Sequence, residues 1–178
     1  VSHTISTLQD AEMDRATQKE SQREFEYLTE VLKTIHQQAA DRLNFAISVP
    51  EPVFTLMPLV YTAIHNLTKN ALRADTKSTV TLTIEPYSGE VVGKGFTWGV
   101  SRGNFLKVSV HGTGPGFPTG RPLPEYFNIG VSTSSTMGRG FGLHFVKLAC
   151  KYLDASLTAH SEPGNTSVNM HIPIVRMG

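Results

Sequence analysis

The most constraining stretch of the chain is Ala63-Ile64-His65-Asn66-Leu67-Thr68-Lys69-Asn70-Ala71-Leu72-Arg73. Asn66 and Asn70 stand four residues apart and Arg73 follows three later, so on a helix all three share one face. Val60, Ile64, Leu67 and Ala71 repeat at helical spacing and form a neighbouring apolar stripe. Two carboxamides and a guanidinium beside such a stripe have two readings. On a solvated helix they are ordinary surface groups. Lining a cavity, they offer a hard oxygen ligand for magnesium and a fork for phosphate oxygens. Both readings require an amphipathic helix over roughly residues 56–74, packed by its apolar side on the rest of the chain.

The length, 178 residues, allows one domain, or one domain with an appended helix, and a core that needs no staples. A hydrophobic share of 39% and a charged share of 17% are those of a soluble globular protein. The net charge of +1 gives no case for nucleic acid or an acidic surface as partner. Cys150 sits within an apolar helical pattern (Phe145, Val146, Leu148, Ala149) and reads as a buried thiol. A single cysteine makes no internal disulfide, which fits a reducing, cytosolic setting. No apolar run approaches the roughly 20 residues that span a bilayer, and no signal peptide is visible. The chain opens on Val1 rather than Met, so it is expected to be a piece of a longer, conceivably membrane-anchored protein.

Residues 4–43 contain neither Gly nor Pro. Apolar residues are sparse at first, then Phe25, Leu28, Leu32, Ile35, Ala39 and Leu43 recur at three- and four-residue steps. That pattern predicts a long helix whose second half packs on a partner helix, or folds back on its own domain. Residues 44–53 read as a short strand ended by prolines, and 80–84 as a half-buried strand. The glycine-rich residues 89–103 read as a wide hairpin connection, and 105–111 as the next strand. Residues 112–140 are long and irregular, as binding loops and lids are. A helix over 141–153 and two strands, 156–160 and 166–172, close the chain. The sum is an α+β sandwich, a mixed but mostly antiparallel sheet with helices on one face.

Gly112-Thr113-Gly114-Pro115-Gly116 comes directly off a strand, and Gly138-Arg139-Gly140-Phe141-Gly142-Leu143 opens a helix. Glycines before a helix let backbone N–H groups reach an anion, where the helix dipole adds its attraction. The second run is no dinucleotide fingerprint, because it follows a loop, and no P-loop, because it lacks the Gly-Lys-Ser/Thr ending. Two such runs bracketing a long loop, downstream of an Asn-x-x-x-Asn helix, are specific together.

Taken in order, residues 66–73, 110–117, 127–133, 138–143 and 164–166 resemble the boxes of a Bergerat-fold (GHKL) ATPase. The nearest likeness is to the ATP-binding catalytic domain of sensor histidine kinases. It covers about residues 45–175, with 28–43 resembling the end of a dimerising helical hairpin. The implied division is 1–43, a helical segment, and 44–178, the catalytic domain. The resemblance implies a histidine kinase of two-component signalling, with ATP and Mg as cofactors, ADP as product, a response regulator as protein partner and a homodimer through the N-terminal helix. By the same resemblance Asn70 would hold magnesium and, with Arg73, act in catalysis, while Asn66 and Arg73 would approach the phosphates. Phe127 would anchor the lid. Gly138, Arg139, Gly140, Gly142 and Leu143 would wrap the phosphates, Gly112, Gly114 and Gly116 would form the first glycine box, and Thr166 would lie near the adenine.

One position departs from that family. Its first glycine box begins with an aspartate that accepts from the adenine amino group, and here that residue is Gly112. Losing such a contact weakens binding by about 1.5–3 kcal/mol, roughly 10- to 150-fold. His111 is next door but faces the opposite side of its strand. A water could replace the carboxylate, the domain could be a degenerate scaffold acting by dimerisation and protein contacts, or the residue could be a deliberate substitution. An anti-sigma type serine/threonine kinase shares the boxes but usually lacks the long helix. His3 lies in a faint phosphoacceptor-like setting without the acidic neighbour and proline, so the acceptor is expected outside the chain or at its extreme start. No His, Cys and carboxylate set has zinc spacing.

Overall fold

Local sequence sets the limits of each element. Pro58 lies in the first turn of helix α2 (Met57–Ala74), where its fixed φ suits a helix start and its missing N–H leaves no bond unmade. The helix runs on without Gly or Pro until the backbone turns extended at Asp75. The computed structural model describes residues 21–51, 53, 55–91, 96–99, 102–128 and 142–174. The first half of the helix expected over 4–43 lies outside these. Its second half is helix α1, residues 21–35, joined by a 3-10 helix (Gln37–Arg42) to strand β1 (Leu43–Ile47). Strands β2 (Val80–Glu90), β3 (Phe96–Trp98) and β4 (Arg102–Gly112) follow α2. A second 3-10 helix (Leu123–Phe127), helix α3 (Gly142–Tyr152) and strands β5 (Ser156–Glu162) and β6 (Asn165–Pro173) complete the order.

Among the described residues six strands form one sheet, in the order β1-β2-β4-β6-β5-β3. Only β1 and β2 run parallel; every other pair is antiparallel. Alternation sends Leu82, Ile84, Leu106, Val108, Val110, Leu157 and Met170 to one face, where they meet Val60, Ile64 and Leu67 of α2 and Val146 of α3 in a single core. This is the expected α+β sandwich.

Two expectations about segments change. Residues 89–103 are no simple hairpin connection: β2 and β4 stay paired out to Glu90 and Arg102, and the chain between them adds β3 to β5 at the far edge. Trp98, in register with Leu157, packs on the core there. The expected 4–43 helix stops at 35. Phe25, Leu28 and Leu32 are buried as the spacing requires and Leu43 is buried as part of β1, but Ile35, at the point where the helix yields to the 3-10 segment, is 55% exposed. Phe25, Leu28 and Leu32 enter the same core as Ile64 and Leu82. The Gln22 carboxamide fastens α1 to the end of β1, donating to the Ile47 carbonyl at 3.3 Å and accepting from the Val49 N–H at 2.6 Å. Among the described residues no helix is long and apolar enough to cross a membrane.

Candidate functional site

Helix α2 divides its surface as the spacing predicts. Val60, Ala63, Ile64, Leu67 and Leu72 are buried, while Asn66 and Asn70 are half-buried on another face and Arg73 is exposed. Asn66 points its amide at the start of α3, donating to the Gly142 carbonyl at 3.4 Å. Its Cβ and Cγ lie 3.9 Å from where a side chain on Gly142 would begin. The carboxamide ridge and the helix start that follows the second glycine run therefore adjoin, although they are 76 residues apart in sequence.

The first glycine run emerges farther along α2, at Ala71 near its C-terminal end. Gly112 closes β4, flanked in register by Val80 and Thr166, and Ala71 stands over it. Among the described residues, a Cβ on Gly112 would meet only the Ala71 methyl, at 3.9 Å. Beyond Gly112 the loop is held from two sides. On one, the Thr113 N–H donates to the Thr79 carbonyl at 3.1 Å, and a Cβ on Gly114 would touch Asp75 and Ser78 at 3.5 Å. On the other, the Gly164 N–H donates to the Gly114 carbonyl at 2.7 Å, and the Phe117 N–H donates to Ser161 Oγ at 2.7 Å. Gly116 has φ +86°, and a side chain there would run into Ser161 Oγ at 2.6 Å and Thr166 Oγ1 at 3.0 Å. Glycine is obligatory at Gly116 on both counts. His111 turns to the opposite face of the sheet, 2.9 Å from Asn165 Oδ1.

Phe127 is buried, its ring 6.3 Å from that of Phe117, and its carbonyl lies 3.3 Å from His144 Nδ1 on α3. The Leu143 side chain is buried in the core, so only its backbone faces the helix start. Gly138, Arg139 and Gly140 lie outside the described residues. His65, directly before Asn66, stacks on His36 with ring centres 5.4 Å apart. Burial lowers both pKa values, and the nearby Lys69 and Arg73 cations lower them further, so both rings are neutral at neutral pH. The Cys150 thiol is buried and pushed up to about 12, which keeps it an unreactive thiol.

The donor chemistry on α2 bears on a metal. Among the described residues no group of three or more His, Cys, Asp or Glu could hold one. Carboxamide oxygens on the ridge suit a hard cation that takes most of its ligands from phosphates and water, which describes magnesium. Sequence reasoning singled out Gly164 and Thr166 but missed the other walls of the loop: the turn at 75–79 on one side and Ser161 on the other. Nothing in the spacing of those residues marks them, because their contacts arise from strand register.

A family model described as "Histidine kinase-, DNA gyrase B-, and HSP90-like ATPase" matches residues 57–176. The chain belongs to that ATPase family. The match takes in α2, both ends of the described loop and the β5–β6 hairpin, and the nucleotide implied by the family is ATP. Solved structures agree on the fold. The histidine kinase domain of the Erythrobacter litoralis EL346 blue-light activated histidine kinase is 19% identical, with a TM-score of 0.56 over 83% of this chain and 59% of that one. Full-length ShkA in complex with AMPPNP is 19% identical, with a TM-score of 0.62 over 85% of this chain and 30% of that one. The mycobacterial sensor histidine kinase MprB is 16% identical, with a TM-score of 0.60 over 86% of this chain and 96% of that one. The chain thus spans less than two thirds of the first of these proteins and less than a third of the second. No curated protein matches it by sequence.

Proposed function

We propose that residues 44–178 are the ATP-binding catalytic domain of a sensor histidine kinase, and that 1–43 form part of its dimerising helical hairpin. One observation carries the reading: Asn66 on α2 and Gly142 at the start of α3 meet at 3.4 Å, so the carboxamide ridge borders a helix N-terminus. A helix start attracts phosphate, and a ridge of hard oxygens beside it suits the accompanying cation. Membership of the ATPase family supports a nucleotide there, as does the AMPPNP in ShkA, whose fold is similar.

In this reading Asn70 would hold magnesium, and Asn66 and Arg73 would approach the phosphates. Gly138, Arg139, Gly140, Gly142 and Leu143 would wrap them. Phe127 anchors the lid from the core. The base lies over Gly112, Gly114 and Gly116, with Thr166 beside it. Bound magnesium would neutralise charge building on the transferred phosphoryl group; the chain's own residues position the nucleotide and exclude water. The phosphoryl group passes to a histidine outside the chain, or at its start near His3, and from there to a response regulator.

A second reading is favoured by Gly112, which offers the base no side-chain acceptor. In it the domain is a non-catalytic module acting through dimerisation and protein contacts. Titration calorimetry with Mg-ATP separates the two. Micromolar binding by the chain as it stands, abolished by Asn70→Ala, supports the kinase. Binding that appears only in Gly112→Asp supports the non-catalytic module, and no binding by either protein rejects the nucleotide site.

A further inference from the structure

The glycine loop rests on a turn that is itself held from outside the site. Helix α2 ends without a glycine cap: Asp75 is extended, at φ −159° and ψ 142°, so the last carbonyls of the helix need other donors. Arg42 supplies them. Its Nη1 donates to the Asp75 carbonyl at 2.9 Å and to the Ser78 carbonyl at 2.8 Å, and its Nη2 reaches the Leu72 carbonyl at 3.5 Å. One planar cation thereby closes the end of α2 and fixes both ends of the turn that follows it, with the helix dipole adding its attraction. Ser78 Oγ donates to the same Asp75 carbonyl at 3.2 Å, and Ser78 is buried.

That turn is one wall of the loop. Gly114 lies against Asp75 and Ser78, and Thr113 is paired with Thr79 three times: its N–H donates to the Thr79 carbonyl, its Oγ1 accepts from the Thr79 N–H at 2.9 Å, and its hydroxyl donates to the Thr79 carbonyl at 3.5 Å. Arg42 in turn closes the 3-10 helix that joins α1 to β1. A continuous set of hydrogen bonds and contacts runs from the end of α1, through Arg42 and the turn at 75–79, to Thr113 and Gly114.

We propose that Arg42 is a positioning residue for the nucleotide loop, holding residues 112–116 in their binding conformation and linking them to the N-terminal helix. The inference rests on the nucleotide site proposed above only for its effect on affinity; its effect on the loop stands alone. Arg42→Ala should weaken Mg-ATP binding about ten-fold, as expected for losing charge-assisted hydrogen bonds, and should speed amide exchange at Thr113 and Gly114. Arg42→Lys, able to reach one carbonyl but not to fork across two, should fall between. Leu157→Ala, a buried change on β5 away from the loop, serves as the comparison for lost stability alone.

Calorimetry and hydrogen exchange on the whole chain decide the matter. If Arg42→Ala does not fold, Arg42→Lys carries the same test. Faster exchange confined to 75–79 and 112–116 supports the proposal even if no variant binds nucleotide, a result that would reject the nucleotide site alone. Exchange at 112–116 no faster than in Leu157→Ala overturns it. So does unchanged affinity in a chain that binds Mg-ATP.

Discussion

Gly112 and Gly116 belong to one loop yet stand in opposite circumstances. Gly116 is fixed three times over, by its left-handed backbone, by Ser161 and by Thr166. Gly112 is fixed by nothing among the described residues: its φ lies outside the left-handed region, and a Cβ there would stand in ordinary contact with the Ala71 methyl. One glycine is there because nothing else fits. The other has room for at least a methyl group. The contrast teaches that the loop's shape and its chemical content are set separately, so one can be intact while the other has changed.

The largest effect should come from filling the fixed end. Gly116→Ala should destabilise the fold by roughly 3–5 kcal/mol, adding backbone strain to a clash with Ser161 Oγ. Urea denaturation measures it, and a loss under about 1 kcal/mol would mean that the hairpin yields and the contrast is false. Acid should sharpen the comparison by acting on neither glycine. His171 is buried edge-on to Tyr87 and Phe105, and burial, helped by Lys107, lowers its pKa to about 4. The unfolded chain binds a proton near pH 6.5 that the folded chain refuses until about pH 4. Stability is unaffected above that window, falls as pH drops through it by up to about 3 kcal/mol, and levels off below. Wild type and Gly116→Ala should fall together, while His171→Phe follows a flatter curve. If the His171→Phe curve matches wild type, the ring is not the group that titrates.

The same contrast explains what could be read in advance. Helix α2, the paired strands and the α+β sandwich were legible because burial imposes periods of 3.6 and 2 on Val60, Ile64, Leu67, Val108 and Val110. The glycine runs were legible as runs, but not which glycines are obligatory, because that depends on Ser161 and Thr166 arriving from two other strands, β5 and β6. β3 was hidden because three residues are too few to show a period, and its pairing with β5 is long-range. The end of α1 was hidden because Ile35 fits the seam by spacing and fails only once the 3-10 helix begins. Arg42 carried no signal, since a basic residue before a strand is ordinary until its carbonyl partners are known.

Next in size is the chemical half of the contrast. Gly112→Asp should keep the fold and tighten Mg-ATP binding by about 1.5–3 kcal/mol, if the nucleotide base lies where the proposed site puts it. Calorimetry reads the change. Equal affinity in a chain that does bind would put the base elsewhere, or would mean that another acceptor already serves it.

The smallest effect is the cleanest test of whether Gly112 is free. An alanine there adds a methyl in ordinary contact range of Ala71 and demands no unusual backbone angle. It also removes conformational freedom that the unfolded chain enjoys at a glycine and loses on entering β4. Gly112→Ala should therefore stabilise the fold by about 0.4–1 kcal/mol while leaving any base contact unmade. A raised urea midpoint with unchanged nucleotide affinity is the expected pair of results. A loss of stability would show that the end of β4 needs glycine after all, and would make the missing side chain a condition of the fold rather than a change confined to the site.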